Sequence, residues 1–282
     1  MTSVAEALAF VAQALAVKKS SLVRRQAEEI LCCALACDRS FLYSHSCQQL
    51  SEGEWLCCQD YLSRRLRGEP LAYIHGVVEF YHCQIKVTPA VLIPRQETEI
   101  LVDKIAKTLA RQDLHGKVLL DLCCGSGCIG IALKKQFPDL TVVLADFSFE
   151  ALQVARQNAL DNQVDVTCLQ GDFLEPFKGE RAHYVVCNPP YISEAEFNEL
   201  GLEVKEFEPK MALLGGSSGL EFYERLASDL PACLFPNAQV WLEIGYLQGE
   251  GVQKLFQGVP WKGQHLENDW AGHHRFFFLE NE

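Results

Sequence analysis

Asp121-Leu122-Cys123-Cys124-Gly125-Ser126-Gly127-Cys128-Ile129-Gly130 decides how the fold of this chain is read. It follows the apolar run Val118-Leu119-Leu120 and opens a helical pattern over Ile129–Gln136, so its glycines fall where a strand end meets a helix N-terminus. Further short apolar runs occur at Val142-Val143-Leu144, Val166-Thr167-Cys168-Leu169, Tyr184-Val185-Val186 and Val240-Trp241-Leu242, and Glu150–Leu160 supplies a second intervening helix. Strands alternating with helices predict an α/β fold with a mostly parallel sheet covered on both faces. Gly263–Glu267 and His274–Leu279 read as a closing antiparallel pair.

Upstream the texture changes. A helix is expected over Glu97–Leu109, and residues 3–68 read as a run of helices, with Leu8, Val11, Leu15 and then Ala27, Ile30, Leu31, Ala34 at helical spacing. Asp38 and Ser51 are the expected N-caps, the second within the capping-box pattern Ser51-Glu52-Gly53-Glu54. Gly68 and Pro70 stop this run. Between Tyr73 and Thr88 the pattern alternates around Gly76 and predicts a β-hairpin. The expected organisation is a small all-helical domain over 1–70, a hairpin linker over 71–94 and an α/β domain over 95–282.

Composition narrows the function. The 282 residues are 49% hydrophobic and 22% charged, as in soluble globular proteins. There are 25 basic and 37 acidic residues, a net charge of −12. Residues 1–72 hold eight of each sign, so the surplus falls on the remainder. A protein that grips a long phosphate backbone needs the opposite balance, so direct nucleic-acid binding is not expected. No apolar run approaches the ~20 residues of a membrane span, and the N-terminus lacks a targeting pattern, so a cytoplasmic protein without membrane contact is expected, as a monomer. The 13 cysteines include no Cys-x-x-Cys, the gap that zinc ribbons and thioredoxin-type sites require, and read as buried free thiols. His273 and His274 are adjacent on a strand and point to opposite faces, so no metal is expected.

The strand ends carry the chemistry. Asp146, closing the second strand, can accept both hydroxyls of a ribose. In Gly171-Asp172-Phe173, Asp172 can accept from an adenine amine and Phe173 offers a ring face. Gly125-x-Gly127-x-x-Gly130 also fits a nicotinamide-dinucleotide fingerprint, but Asp121 at the first strand end would repel a pyrophosphate and attract a sulfonium or ammonium group. The balance favours S-adenosyl-L-methionine, with S-adenosyl-L-homocysteine as product. Its cradle is expected from Asp121, Cys123, Cys124, Gly125, Ser126, Gly127, Asp146, Asp172, Phe173 and Asn188.

Asn188-Pro189-Pro190-Tyr191 follows the fourth strand. Methylating an amide or amino nitrogen conjugated with a π-system is difficult because its lone pair is delocalised, so the nitrogen must be held in line with the methyl. The Asn188 side-chain oxygen and the Pro189 carbonyl can accept its two hydrogens. Pro189 and Pro190 stiffen the loop, and Tyr191 can stack on the planar acceptor.

The chain resembles, throughout its length, the protein-(glutamine-N5) methyltransferases that modify peptide-chain release factors. The resemblance rests on the helical N-terminal part, Ile93-Pro94-Arg95-Gln96-Glu97-Thr98-Glu99, Asp121 to Gly127, and Asn188 to Tyr191. It extends to Phe207-Glu208-Pro209 leading to Leu213-Leu214-Gly215-Gly216, to Leu242-Glu243-Ile244-Gly245, and to Ala271-Gly272-His273-His274-Arg275. It implies a Rossmann-like class I methyltransferase sheet with an antiparallel final strand, and methylation of the glutamine in the Gly-Gly-Gln loop of release factors. It also implies that the helical domain grips the release factor and that Asn188 to Tyr191 bind the glutamine amide. The family usually has Gly where Cys123 stands, Pro at Gln96 and often Trp at Phe173; these are read as tolerated changes.

The rival acceptor is the N6 amine of adenine in DNA or RNA, which the same tetrapeptide can hold once the base is flipped out. Duplex binding needs a basic groove and a target-reading insert, and the sequence offers neither. A non-enzymatic binding module leaves the combined cofactor and acceptor signals unexplained. Arg95, Glu97 and Glu99 are read either as lining the mouth of the site or as surface ion pairs.

Overall fold

The computed structural model describes residues 2–16, 22–258 and 260–282. In chain order its elements begin with α1 (Val4–Leu15), α2 (Val23–Ala34), α3 (Arg39–Ser44), α4 (Glu52–Leu66), α5 (Leu71–His75), β1 (Val77–Phe80), β2 (Cys83–Lys86) and α6 (Gln96–Leu109). Then come β3 (Val118–Leu122), α7 (Cys128–Gln136), β4 (Thr141–Asp146), α8 (Phe149–Asp161), β5 (Thr167–Gln170), β6 (Ala182–Cys187), β7 (Ile192–Ser193) and α9 (Glu194–Glu199). The chain closes with α10 (Leu202–Phe207), α11 (Lys210–Leu213), β8 (Leu214–Gly216), α12 (Glu221–Asp229), β9 (Leu234–Glu243), α13 (Gly249–Leu255), β10 (Trp261–Asn268) and β11 (His274–Asn281). Two compact units result: Met1–Gly76 with Leu202–Phe207, and Val77–Gly201 with Glu208–Glu282.

The first unit is helical because its apolar residues recur on one helix face. Val4, Ala7, Val11 and Leu15 of α1 meet Ala27, Ile30 and Leu31 of α2, with Leu42, Cys58 and Leu62 completing the core. Asp38 caps α3 by accepting from the Phe41 amide at 2.8 Å, and Ser51 with Glu54 forms the full capping box of α4. Arg65, buried on α4, pairs with Glu203 of α10 at 2.9 Å, which ties this late segment of sequence into the helical unit.

The second unit is built on a seven-stranded sheet of order β10-β11-β9-β6-β3-β4-β5. The run from β9 to β5 is parallel, and β11 and β10 add in antiparallel fashion, which is the Rossmann-like arrangement expected. β4 and β5 lie on one side of β3, and β6 and β9 on the other, so the chain reverses its direction of travel at β3. The carboxyl ends of the strands flanking that reversal open onto one edge of the sheet, where such folds bind ligands. Among the described residues no helix is long and apolar enough to cross a membrane.

The segment before the sheet differs from expectation. Residues Leu71–His75 are helical, and Gly76, at a φ of 76°, closes that helix and does not form the hairpin turn. The turn is Tyr81-His82, both at positive φ (42° and 63°), as a tight two-residue hairpin turn requires. Neither residue type advertises that conformation, whereas Gly76 does.

Two carboxamides, one on α8 and one at its C-cap, fasten the hairpin. Asn158, fully buried, accepts from the Lys86 amide at 2.7 Å and donates to the Lys86 carbonyl at 3.0 Å and the Ser126 carbonyl at 2.9 Å. Asn162 donates to the Gln84 carbonyl at 2.8 Å. Asn158 thereby joins the hairpin to the glycine loop in one side chain. Asn158→Ala strands three backbone groups, the Ser126 carbonyl fully buried among them, and is expected to cost about 2–4 kcal/mol in urea unfolding.

Candidate active site

A cleft enclosing about 1020 Å³, part of it open to solvent, lies at the carboxyl ends of the central strands. Of the residues singled out in the sequence, Cys123, Cys124, Gly125, Ser126, Asp146, Asp172, Phe173, Asn188 and Pro190 line it. Asp121, Gly127, Pro189 and Tyr191 do not.

Asp121 sits beneath the wall at 1% exposure. Its Oδ2 accepts from the Gly130 amide at 2.8 Å, while its Oδ1 is buried without a hydrogen-bond partner. Burial lifts this carboxyl to about 7. The approach is possible because position 130 has no side chain: a Cβ there would lie 2.3 Å from Leu144 Cδ2 and 3.0 Å from Asp121 Oδ2. Asp146, at the end of β4, accepts from the Gly125 amide at 2.8 Å through Oδ2 and the Ser148 amide at 2.9 Å through Oδ1. The Phe147 amide also acts on this carboxylate, which leaves it a lone pair for a hydroxyl donor.

Cys123 holds a φ of 54°, left-handed backbone that strains any residue with a Cβ. This is the position where the resembling family has Gly, so the substitution carries a conformational cost. Its thiol meets that of Cys187 on the neighbouring strand. Asp172 is exposed and pairs through Oδ1 with Arg225 at 2.9 Å. The Arg225 guanidinium also lies 5.0 Å from the centre of the Phe173 ring, and Phe222 meets that ring edge-on at 5.6 Å. Asp172 and Phe173, which the sequence reading assigned to adenine, are thus held by two residues of α12, Phe222 and Arg225, that the sequence did not flag.

The Asn188 loop is braced from behind. A Cβ at Gly215 would stand 2.5 Å from the Pro190 carbonyl oxygen, so glycine is required for β8 to approach. Gln248 donates to the Tyr191 carbonyl at 2.8 Å. Tyr191 is half-buried and its phenol is pushed up by that burial. On the cleft side, Asn188 Nδ2 donates to Thr98 Oγ1 at 3.4 Å, and Thr98 Oγ1 donates to Glu243 Oε2 at 2.7 Å. Glu243 is 1% exposed and burial lifts it to about 7.

Arg95 belongs to the cleft wall and also binds Glu208, whose other oxygen accepts from the Ile93 amide at 3.1 Å. Glu97 and Glu99 do not line the cleft. Thr98, Glu208 and Glu243 fall inside stretches that carried the family resemblance, which was the available signal for them. Arg225 and Asn158 had none. Among the described residues no group of three or more His, Cys, Asp or Glu is placed to hold a metal ion.

Residues 96–203 match the family model of the methyltransferase small domain, and residues 6–76 that of the PrmC N-terminal domain. The chain is 46% identical to the release factor glutamine methyltransferase of Chlamydia trachomatis serovar L2, over 92% of this chain and 88% of that protein. It is 38% identical to the protein of the same name from Thermodesulfovibrio yellowstonii, over 94% and 95%. Among solved structures, a methyltransferase from Pyrococcus furiosus superposes with a TM-score of 0.53 at 16% identity, covering 79% of this chain and all of that one, a likeness of fold alone.

The raised Asp121 carboxyl has a consequence for stability. A carboxyl whose pKa rises on folding costs nothing while both states are protonated, below its ordinary value of 3.8, and its cost grows until pH passes about 7. Asp121→Asn, which can still accept from Gly130, is expected to raise the melting temperature above pH 7 and to lose that advantage as pH falls toward 4. A melting-temperature series across this range checks the sign.

Proposed function

Because the chain belongs to the release factor glutamine methyltransferases, we propose that it methylates the side-chain nitrogen, N5, of the glutamine in the Gly-Gly-Gln motif of a peptide-chain release factor, with S-adenosyl-L-methionine as donor, and so tunes translation termination. The observation that carries this reading is the Asn188 carboxamide on the cleft wall, at the end of β6 and beside the glycine loop.

The residues present fit the donor. An unpartnered carboxylate oxygen of Asp121, buried beneath the glycine loop, favours a positive group above it. Asp146 would take the ribose hydroxyls, the free oxygen of Asp172 the adenine amine, and Phe173 the face of the base. Cys123, Cys124, Gly125 and Ser126 would form the cradle wall, with Gly127 shaping the loop from behind. When bound, S-adenosyl-L-methionine supplies an electrophilic methyl carbon on a sulfonium.

The acceptor side is the work of the tetrapeptide. The Asn188 oxygen and the Pro189 carbonyl would accept the two hydrogens of the glutamine nitrogen, fixing its orientation and raising its electron density. Pro190 stiffens the loop and Tyr191 would cover the flat face of the carboxamide. The helical unit, which matches its own family model, would recognise the body of the release factor. Adenine in nucleic acid is not favoured as acceptor, since the relatives at 46% and 38% identity are named for release factors.

Incubation with an isotopically labelled donor and a release factor, followed by mass mapping, is expected to place one methyl on the Gly-Gly-Gln glutamine; label found only on another side chain would overturn the acceptor assignment. Asn188→Ala should lower turnover by about a hundredfold to a thousandfold, with cofactor affinity changed only a few-fold. Asp146→Ala should instead weaken cofactor binding in calorimetry, and an unchanged dissociation constant would remove Asp146 from the ribose site.

A further inference from the structure

A carboxamide has two ends of similar shape and opposite hydrogen-bonding character. For Asn188 the difference is decisive. If its oxygen faces the acceptor nitrogen it accepts a hydrogen and pulls density toward that nitrogen. If its NH2 group faces the acceptor, two donors oppose each other and the acceptor is expelled. Nothing in Asn188-Pro189-Pro190-Tyr191 itself selects between the two.

The selection comes from the other side. Glu243 is buried at 1% exposure and Thr98 at 3%, and the Thr98 hydroxyl lies 2.7 Å from Glu243 Oε2. An ionised carboxylate only accepts, so the single hydroxyl proton of Thr98 is committed to it. What Thr98 then offers Asn188 is a lone pair, and Asn188 answers with Nδ2 at 3.4 Å. Its Oδ1 is left turned from Thr98.

We infer that Thr98 and Glu243 are positioning residues that polarise a two-step hydrogen-bond chain and thereby fix the Asn188 side-chain oxygen toward the acceptor nitrogen. The inference rests on the acceptor role proposed for Asn188. Thr98 reaches the chain from α6 and Glu243 from the end of β9, so three separate elements fix one torsion. Thr98 lines the cleft and Glu243 lies behind it, and both act through Asn188.

Thr98→Val replaces the hydroxyl by a methyl of similar size, and Thr98→Ser restores the hydroxyl. In mildly alkaline buffer, where Glu243 is ionised, Thr98→Val is expected to lower kcat on an intact release factor by about tenfold or more, with the KM for the donor within twofold. Thr98→Ser is expected to recover most of that loss. An independent readout needs no methyl transfer: the side-chain NH2 resonances of Asn188 in the nitrogen-proton spectrum, assigned by their absence in Asn188→Ala, should shift in Thr98→Val and return in Thr98→Ser. Resonances that stay in place, a kcat unchanged in Thr98→Val, or a loss that Thr98→Ser fails to recover would each overturn the inference. Should Thr98→Val not fold, Glu243→Met against Glu243→Gln, whose carbonyl can still accept from Thr98, makes the same comparison. A wild-type protein that transfers no methyl to any release factor while its Asn188 resonances respond to Thr98 would count against the glutamine reading and leave the positioning chain standing.

Discussion

Carboxylates taken out of water without a bonded cation are the constraint on which this site depends. Asp121, Asp146 and Glu243 all lie at strand ends, and among the described residues none forms an ion pair. Their partners are backbone amides and one hydroxyl. Desolvation raises all three, Asp121 and Glu243 to about 7. A fold optimised for stability alone would fill such positions with apolar residues or leave them wet. Kept as they are, Asp121 and Asp146 would make the floor of the cleft favourable to a positive group, through interactions that salt screens little, while Glu243 lies behind Thr98 and Asn188.

Holding that floor in place requires loops of different origin to be locked together without adding charge. The structure does this with carboxamides that use both ends. Asn158 joins the hairpin to the glycine loop. Gln248 accepts from the Gly245 amide while donating to the Tyr191 and Gly219 carbonyls, which ties the end of β9 to the back of the Asn188 loop. Glycines complete the arrangement where two backbones must touch, as at Gly130 and Gly215. A neutral amide satisfies a donor and an acceptor at once and leaves the local field to the carboxylates.

The elements of the fold were legible wherever apolar periodicity was long enough to speak. The five parallel strands, the helices α7 and α8 between the first three of them, and the caps at Asp38 and Ser51 stand where the pattern placed them, whereas α9 to α12 between β6 and β9 were not read. The hairpin turn was not, because Gly76 carries the familiar sign of a turn whereas Tyr81 and His82 adopt positive φ without it. In the site, several residues with local signatures do line the cleft: Cys123 to Ser126, Asp146, Asn188 and Pro190. Pairings between distant positions were not legible. Thr98 and Glu243 are 145 positions apart, Arg95 and Glu208 113, and Asp172 and Arg225 53. No window of sequence contains both halves of such a pair. The placement of Asp121 one layer below the wall was equally invisible, since strand periodicity says which face a residue takes and not how deep the ligand reaches.

The titratable groups on the cleft wall also say what kind of reaction suits it. Asp146 is engaged by backbone amides, Asp172 by Arg225, and Arg95 by Glu208. The thiols of Cys124 and Cys128 are pushed up by burial and are poor nucleophiles. Among the described residues, none of these wall groups is poised to abstract a proton from an acceptor. Methyl transfer to an amide nitrogen does not ask for one, because the nitrogen becomes strongly acidic only once the new bond has formed, and it can then release its proton to water. What the reaction does ask for is that the nitrogen be held with its lone pair aimed, and a wall of committed side chains around one oriented carboxamide is suited to that task. On the acceptor role proposed for Asn188, the buried chain behind it would matter more to the chemistry than any acid or base on the surface of the cleft.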